Sequence, residues 1–309
     1  MPVLLLFLFL AQDFYLFTSF RGNGESGVYL ALSGDGEHWE PLNEGRAWLP
    51  PQHQGQLMRD PFLVKGPDGQ YHLLWTWGWR RDQMGGRLRI GYASSPDLLN
   101  WSAQRAIPVF DNEPRARNAW APEMVWDPAR REWIIFWATT IPGRFPDTEG
   151  TGEEGYNHRH YAMTTKDFVT FSAPRLFYEP GFNSIDASVF EAAGRWVMVF
   201  KDERRNPVEK VLRLAFASSP AGPWTEPSEA ISRDWVEGPS PMKIGEWWYI
   251  YYDRYTKPQH YGAIRSKDLK AWEDVTERLH FPPGHRHGTI VRIDAETATR
   301  LRAARRPAE

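Results

Sequence analysis

Apolar residues in this chain gather in short, aromatic-rich runs and not in stripes at helical spacing. FYLFTSF (14–20), YHLLWTW (71–77), EWIIFWATT (132–140), RWVMVFKD (195–202) and EWWYIYYD (246–253) are of strand length and bounded by Gly, Pro or charged residues. Such runs predict strands. A second pattern recurs five times: a small hydroxylated residue, often with an acid nearby, then an aromatic at a turn. It closes at Trp39, Trp101, Phe171, Trp224 and Trp272, at spacings of 62, 70, 53 and 48 residues. A third pattern stands one strand ahead of four of the aromatic runs: RDPFLV (59–64), APEMVW (121–126), IDASVF (185–190) and EGPSPMKI (237–244). Repeats of this size predict four-stranded propeller blades. The first segment, 14–42, lacks its leading strand, and HGTIVRI (287–293) is the candidate to supply it. The expected fold is all-β, a five-bladed β-propeller closed by pairing the C-terminal strand with the N-terminal hairpin. That seam leaves no open sheet edge. The expected organisation is an apolar segment over 1–12, one propeller over 13–294 and a short tail over 295–309.

Composition narrows the partners. Aromatic residues make up 15% of the chain, with 16 Trp; they favour strands, where core burial accounts for most of them, and Trp and Tyr are also platforms for sugar rings. Net charge is −2 with no long run of one sign, which argues against a nucleic-acid partner. With no Cys, disulfides, thiolate catalysis and Cys-based zinc sites are excluded. The run Val3 to Leu10 has the length of a signal-peptide core and is too short to span a membrane, although Met1-Pro2 brings no basic residue. An atypical export signal and a secreted or periplasmic location are expected, with a cytoplasmic one as the alternative. The oligomeric state is not legible.

Each of the four first strands opens near a carboxylate: Asp60, Glu123, Asp186 and Glu237. The aromatic that opens the next strand follows 11, 10, 10 and 10 residues later. In a propeller the first strand lines the central channel, so these acids are expected at nearly one depth, converging at one mouth. Carboxylates gathered this way repel, and burial penalises their charge further. Stability alone does not select such an array. Glycoside hydrolysis does: one carboxylic acid protonates the leaving oxygen while an opposed carboxylate attacks the sugar or activates water. A further acid can keep the donor protonated.

These segments resemble glycoside hydrolase family 43, a family of five-bladed propeller enzymes. The resemblance spans roughly residues 14–293 and rests on Asp60-Pro61, Trp120-Ala121-Pro122-Glu123, Ser184-Ile185-Asp186 and Glu237-Gly238-Pro239, with the aromatic strands that follow. It implies that Asp60 is the general base, Asp186 tunes and orients the acid, and Glu237 is the general acid. It also implies inversion, with the two main carboxylates roughly 6.5–9.5 Å apart. His287 matches, more loosely, a channel histidine near a water network or a calcium ion. No cofactor is expected to be required. A structural calcium is conceivable through His287, yet no oxygen-rich binding loop is present. Glu123 stands where Asp is common, and is expected to support the site or touch sugar, not to donate the proton. Two departures are the extra hairpin before the Asp-Pro strand and Ala187 where Pro often follows the Asp.

The loops joining second and third strands should open on the face of the acids: Trp77 to Arg87, Thr139 to His160, Lys201 to Lys210 and Asp253 to His260. The second is longest and is expected to wall the channel so that it suits chain ends. Trp77, Trp79 and Trp120 are candidate stacking platforms, and His158, His160 and Arg204 candidate hydroxyl contacts. The expected partner is an oligo- or polysaccharide of plant type, losing arabinofuranose or xylose from its end. A galactan-active enzyme, a fructan-active enzyme and a non-catalytic sugar-binding propeller are the alternatives. The fructan reading needs a nucleophilic Asp in an upstream Asn-Asp-Pro strand, a motif that the N-terminal hairpin lacks.

Overall fold

A computed structural model of the chain describes residues 13–305; the proposed export signal over 1–12 lies outside the described residues. Five antiparallel sheets form the blades of a propeller. The first is composite: Arg286–Ile293 is its innermost strand, followed outward by Phe14–Phe20, Tyr29–Ser33 and Glu40–Pro41. The second runs Arg59–Lys65, Tyr71–Thr76, Arg89–Ser95, Arg105–Pro108, and the third Trp120–Asp127, Glu132–Thr140, His158–Thr165, Arg175–Tyr178. The fourth has Ser184–Ala192, Arg195–Asp202 and Leu212–Ala217; the fifth has Glu237–Ile244, Trp247–Arg254, His260–Ser266 and Glu273–Asp274. The expected seam is present, with Phe14 paired to Ile293 and Thr18 to Thr289.

The aromatic runs are the second strands, and each is buried on both faces because a blade packs against two neighbours. Five apolar clusters result, one per seam between blades. Leu74, Ile90 and Tyr92 of the second blade meet Ile135, Trp137 and Met163 of the third. Phe17 and Ile290 of the first meet Tyr251 and Ala263 of the fifth. A two-faced apolar strand cannot be read as half-exposed, which is why these segments lack alternation.

The recurrent hydroxyl–acid–aromatic motif is a turn device. In the second blade Ser95 Oγ accepts from Leu98 N at 2.8 Å, and Asp97 Oδ1 accepts from Leu99 N at 2.9 Å and Asn100 N at 2.7 Å. The same bonds recur around Asp35, Asp167 and Asp268. Such local side-chain bonds to backbone amides stabilise tight turns. The fourth blade has Ala221 at this position and only three strands.

One element departs from expectation. The stretch after 294 is not an open tail: Ala295–Ala303 is a helix, N-capped by Asp294, whose Oδ1 accepts from Thr297 N at 2.7 Å. Its Ala298 and Leu301 are buried in the seam between the first two blades.

Candidate active site

Every innermost strand carries a bulge of one extra residue at the same place. The pairing jumps from Arg59 to Phe62, Trp120 to Glu123, Ile185 to Ser188, Glu237 to Ser240 and Arg286 to Thr289, each against two residues on the second strand. A bulge re-aims the side chains around it. The residue before the bulge is thus Arg59, Trp120, Ile185, Glu237 or Arg286, and all five line one cavity of about 680 Å³ at the centre of the ring. The bulged residue itself is Asp60, Ala121, Asp186, Gly238 or His287. The first four have positive φ, at 50°, 45°, 54° and 60°. That region is costly for L-residues, and Asp tolerates it better than most. At Gly238 an added Cβ would lie 2.5 Å from the His287 ring, so only glycine fits there.

This register corrects the expected common depth. Asp60 and Asp186 are equivalent, Glu237 stands one residue earlier, and Glu123 two residues after the bulged Ala121. The first three converge in the cavity with His287, Trp79, Trp120 and His158. Glu123 is among neither its walls nor its floor. It lies deeper in the channel, buried, beside Ser188 and Asp186, and burial pushes its carboxyl well above the usual range.

Three further expected contacts also fall outside the cavity lining. Trp77 follows Thr76, whose hydroxyl faces Asp60; strand alternation turns Trp77 away, to pack on Trp75 and His53. Arg204 is committed to Asp202 through Nε at 2.9 Å and Nη2 at 2.6 Å. His160 is two residues deeper than His158, fully buried between Tyr178 and Phe200, and burial holds its imidazole down at about 3.

In three blades the second-strand residue opposite the bulge reaches into the next blade. Thr76 Oγ1 donates to Asp60 Oδ2 at 2.7 Å and accepts from Ala121 N at 2.8 Å. Lys201 Nζ donates to Glu237 Oε2 at 3.1 Å, and Asp253 Oδ2 accepts from Arg286 Nε at 3.2 Å. Arg286 Nη2 donates in turn to Glu237 Oε1 at 3.0 Å. Asp186 Oδ2 accepts from Gly238 N at 3.1 Å, and His287 Nδ1 lies 3.4 Å from Asp60 and 3.8 Å from Asp186. None of Lys201, Arg286, Asp253 and Thr76 was found from motifs. The one signal for Arg286 is its place before His287, as Arg59 stands before Asp60.

The electrostatics separate the carboxylates. Burial lifts Asp186 to about 6, offset by His287 and reinforced by Glu237. Asp253 is lifted to about 6, by burial and then by Glu237. Burial also pushes Glu237 up, but Lys201, Arg286 and His287 overcome it and hold this carboxyl below its usual range. Among the described residues no group of three or more His, Asp or Glu is arranged to hold a metal ion. The cavity wall is completed by the predicted loops, through Trp79, Arg80 and Gln83, then Glu153, Glu154 and Tyr156, then Glu203 and Lys210, then Tyr255.

A five-bladed propeller with three carboxylates converging in its central cavity agrees with the glycosidase family that the sequence resembles. A model of the glycosyl hydrolase 43-related family, described as a probable glycosyl hydrolase domain, matches residues 12–298, and the chain belongs to that family. It is 27% identical over 202 residues to an α-L-arabinofuranosidase of Bifidobacterium longum subsp. longum, which covers 60% of this chain and 19% of the relative. The chain thus matches about a fifth of that relative's length. The fold is similar to α-L-arabinofuranosidase from Lactobacillus brevis, with TM-score 0.53 and 19% identity over 71% of this chain and 72% of the other. It is also similar to xylan β-1,4-xylosidase from Bacillus halodurans, with TM-score 0.53 and 17% identity over 74% of this chain and 42% of the other.

Proposed function

We propose that the protein is an inverting, exo-acting glycosidase of the α-L-arabinofuranosidase or β-D-xylosidase type, with Asp60 as base and Glu237 as acid. The observation that carries this is the set of equivalent bulges that bring Asp60, Asp186 and Glu237 into one cavity from three different blades. Asp60 takes a proton from water as the water oxygen bonds to the anomeric carbon. The bond from that carbon to the leaving oxygen breaks, and Glu237 gives its proton to that oxygen. Asp60 ends protonated and Glu237 ionised, and the two cations on Glu237 stabilise that charge. Asp186 holds Gly238 N, and so fixes the backbone that carries the acid. The test is release of sugar from a panel of α-L-arabinofuranosides, β-D-xylosides and β-D-galactosides, with the first-formed anomer read by NMR. An anomer of retained configuration would overturn inversion, and no release from any glycoside would overturn the enzyme.

Two results should follow from the walls. Glu237 must be protonated to act, so kcat/KM falls as pH rises through its ionisation. Because Lys201 and Arg286 hold that ionisation low, the optimum lies on the acid side of neutrality. Lys201→Gln removes one of these charges, so the alkaline limb of the pH profile moves to higher pH; an unmoved limb would separate Lys201 from the proton donor. Trp79 lines the cavity at 5.1 Å from the Trp120 ring, edge to face. Trp79→Ala should raise KM roughly tenfold with less effect on kcat. An unchanged KM would remove it from the sugar site.

A further inference from the structure

Arg59 lies in the cavity wall one residue before Asp60 and is 7% exposed. Its guanidinium is held between two rings, 4.1 Å from the Trp79 centroid and 4.6 Å from that of Phe20. Nη1 donates to Asn23 Oδ1 at 2.9 Å, and the same oxygen takes the Trp79 indole N–H at 3.0 Å. Nε is buried with no hydrogen-bond partner. Among the described residues Arg59 forms no ion pair within 4.0 Å. Exposed Glu25 feels its charge only faintly, being held low chiefly by Asn23.

The other cations of this cavity are matched. Lys201 has Glu203 and Glu237, Lys210 has Glu203 and Glu153, Arg286 has Glu237 and Asp253, and Arg80 at the rim has Asp82. A buried cation without a counter-charge is expensive, and two ring faces and one amide oxygen replace only part of its lost hydration. If Arg59 served only to pack Trp79 against Phe20, an apolar side chain would do so at lower cost. Sugar hydroxyls would satisfy its donors but leave its charge. The reacting carboxylates make the cavity hostile to anions, so an anionic ring enters only where a cation has been left free for it.

We infer that Arg59 is a counter-charge reserved for substrate, and that the cavity accepts a glycan residue bearing a carboxylate, a uronate, against the Arg59–Trp79 wall. This rests on the glycosidase reading only in taking the cavity as a sugar site, and it refines the substrate to an acidic glycan.

The test is binding, which needs no turnover. Affinities of the intact protein are measured by calorimetry for D-glucuronate against D-glucose and for D-galacturonate against D-galactose, in wild type, Arg59→Gln and Arg59→Lys. In wild type one uronate should bind roughly tenfold or more tighter than its neutral partner. Arg59→Gln should erase that difference, and Arg59→Lys should keep part of it. Equal binding within both pairs in wild type, or a preference that survives Arg59→Gln, overturns the inference. If Arg59→Gln does not fold, Arg59→Lys decides: a weakened preference supports the inference, and an unchanged one overturns it. A galactose sulfate that outcompetes both uronates overturns the choice of carboxylate. Uronate preference without hydrolysis of any glycoside would sink the glycosidase reading alone. Hydrolysis of neutral glycosides with no uronate preference would sink this inference alone.

Discussion

Asp60→Asn should lower kcat by about 10²–10⁴-fold, the range that a positioned general base contributes. The amide is the same size and still offers an oxygen to Thr76 Oγ1, which now bonds the carboxylate at 2.7 Å. It can also hold the positive φ of 50°, a conformation Asn tolerates. Folding and sugar binding should therefore survive, and only the capacity to take a proton is lost. The check is kcat beside KM on the best glycoside of the panel, with melting temperature as control. A variant that folds and retains more than about a tenth of wild-type kcat would remove Asp60 as base.

Glu237→Gln should show a loss that depends on the leaving group. For alkyl or sugar leaving groups, which need a proton, kcat should fall by about 10²–10⁴-fold. For a dinitrophenyl glycoside, whose leaving group departs as a stable anion, the loss should be small. The alkaline limb of the pH profile should vanish with the carboxyl. The variant should fold, because buried Lys201 keeps Glu203 at 2.7 Å and Arg286 keeps Asp253 at 3.2 Å when Glu237 loses its charge. Equal losses on both kinds of substrate would assign Glu237 to electrostatics or positioning and leave the proton donor to be sought elsewhere. Asp186, lifted to about 6 by burial and neighbouring charge, would then be the first candidate.

These two residues were legible because their chemistry and their spacing coincide. Asp60 and Glu237 head strands whose aromatic successors follow at nearly the same interval, 11 and 10 residues, so blade period and acid position could be read together. The composite blade was legible for the same reason, since the N-terminal hairpin has no leading strand and Arg286–Ile293 has no partner hairpin of its own. Glu123 shares that interval yet lies outside the cavity. An interval of ten residues does not say on which side of a bulge the acid falls, and one residue of offset decides which way a strand side chain points.

Trp77 and Arg204 were misplaced for related reasons. Strand parity at Thr76 turns the Trp77 ring into the seam between blades, and Asp202 takes the charge of Arg204 before sugar can. Lys201 and Asp253 carry no motif, because they act only where a second strand leans on the next blade's bulge, 36 and 33 residues along the chain.

The chain alone determined the number of blades, the closing seam, the turns around the recurrent Asp residues and which three acids meet in the central cavity, since each is written in local pattern and period. Tertiary structure decided the depth of each acid, the two cations that hold the Glu237 carboxyl below its usual range and the uncompensated charge of Arg59. Those depend on which side chains from separate blades meet at a central axis, and electrostatic energy is set by distance through space and by burial, not by separation along the chain.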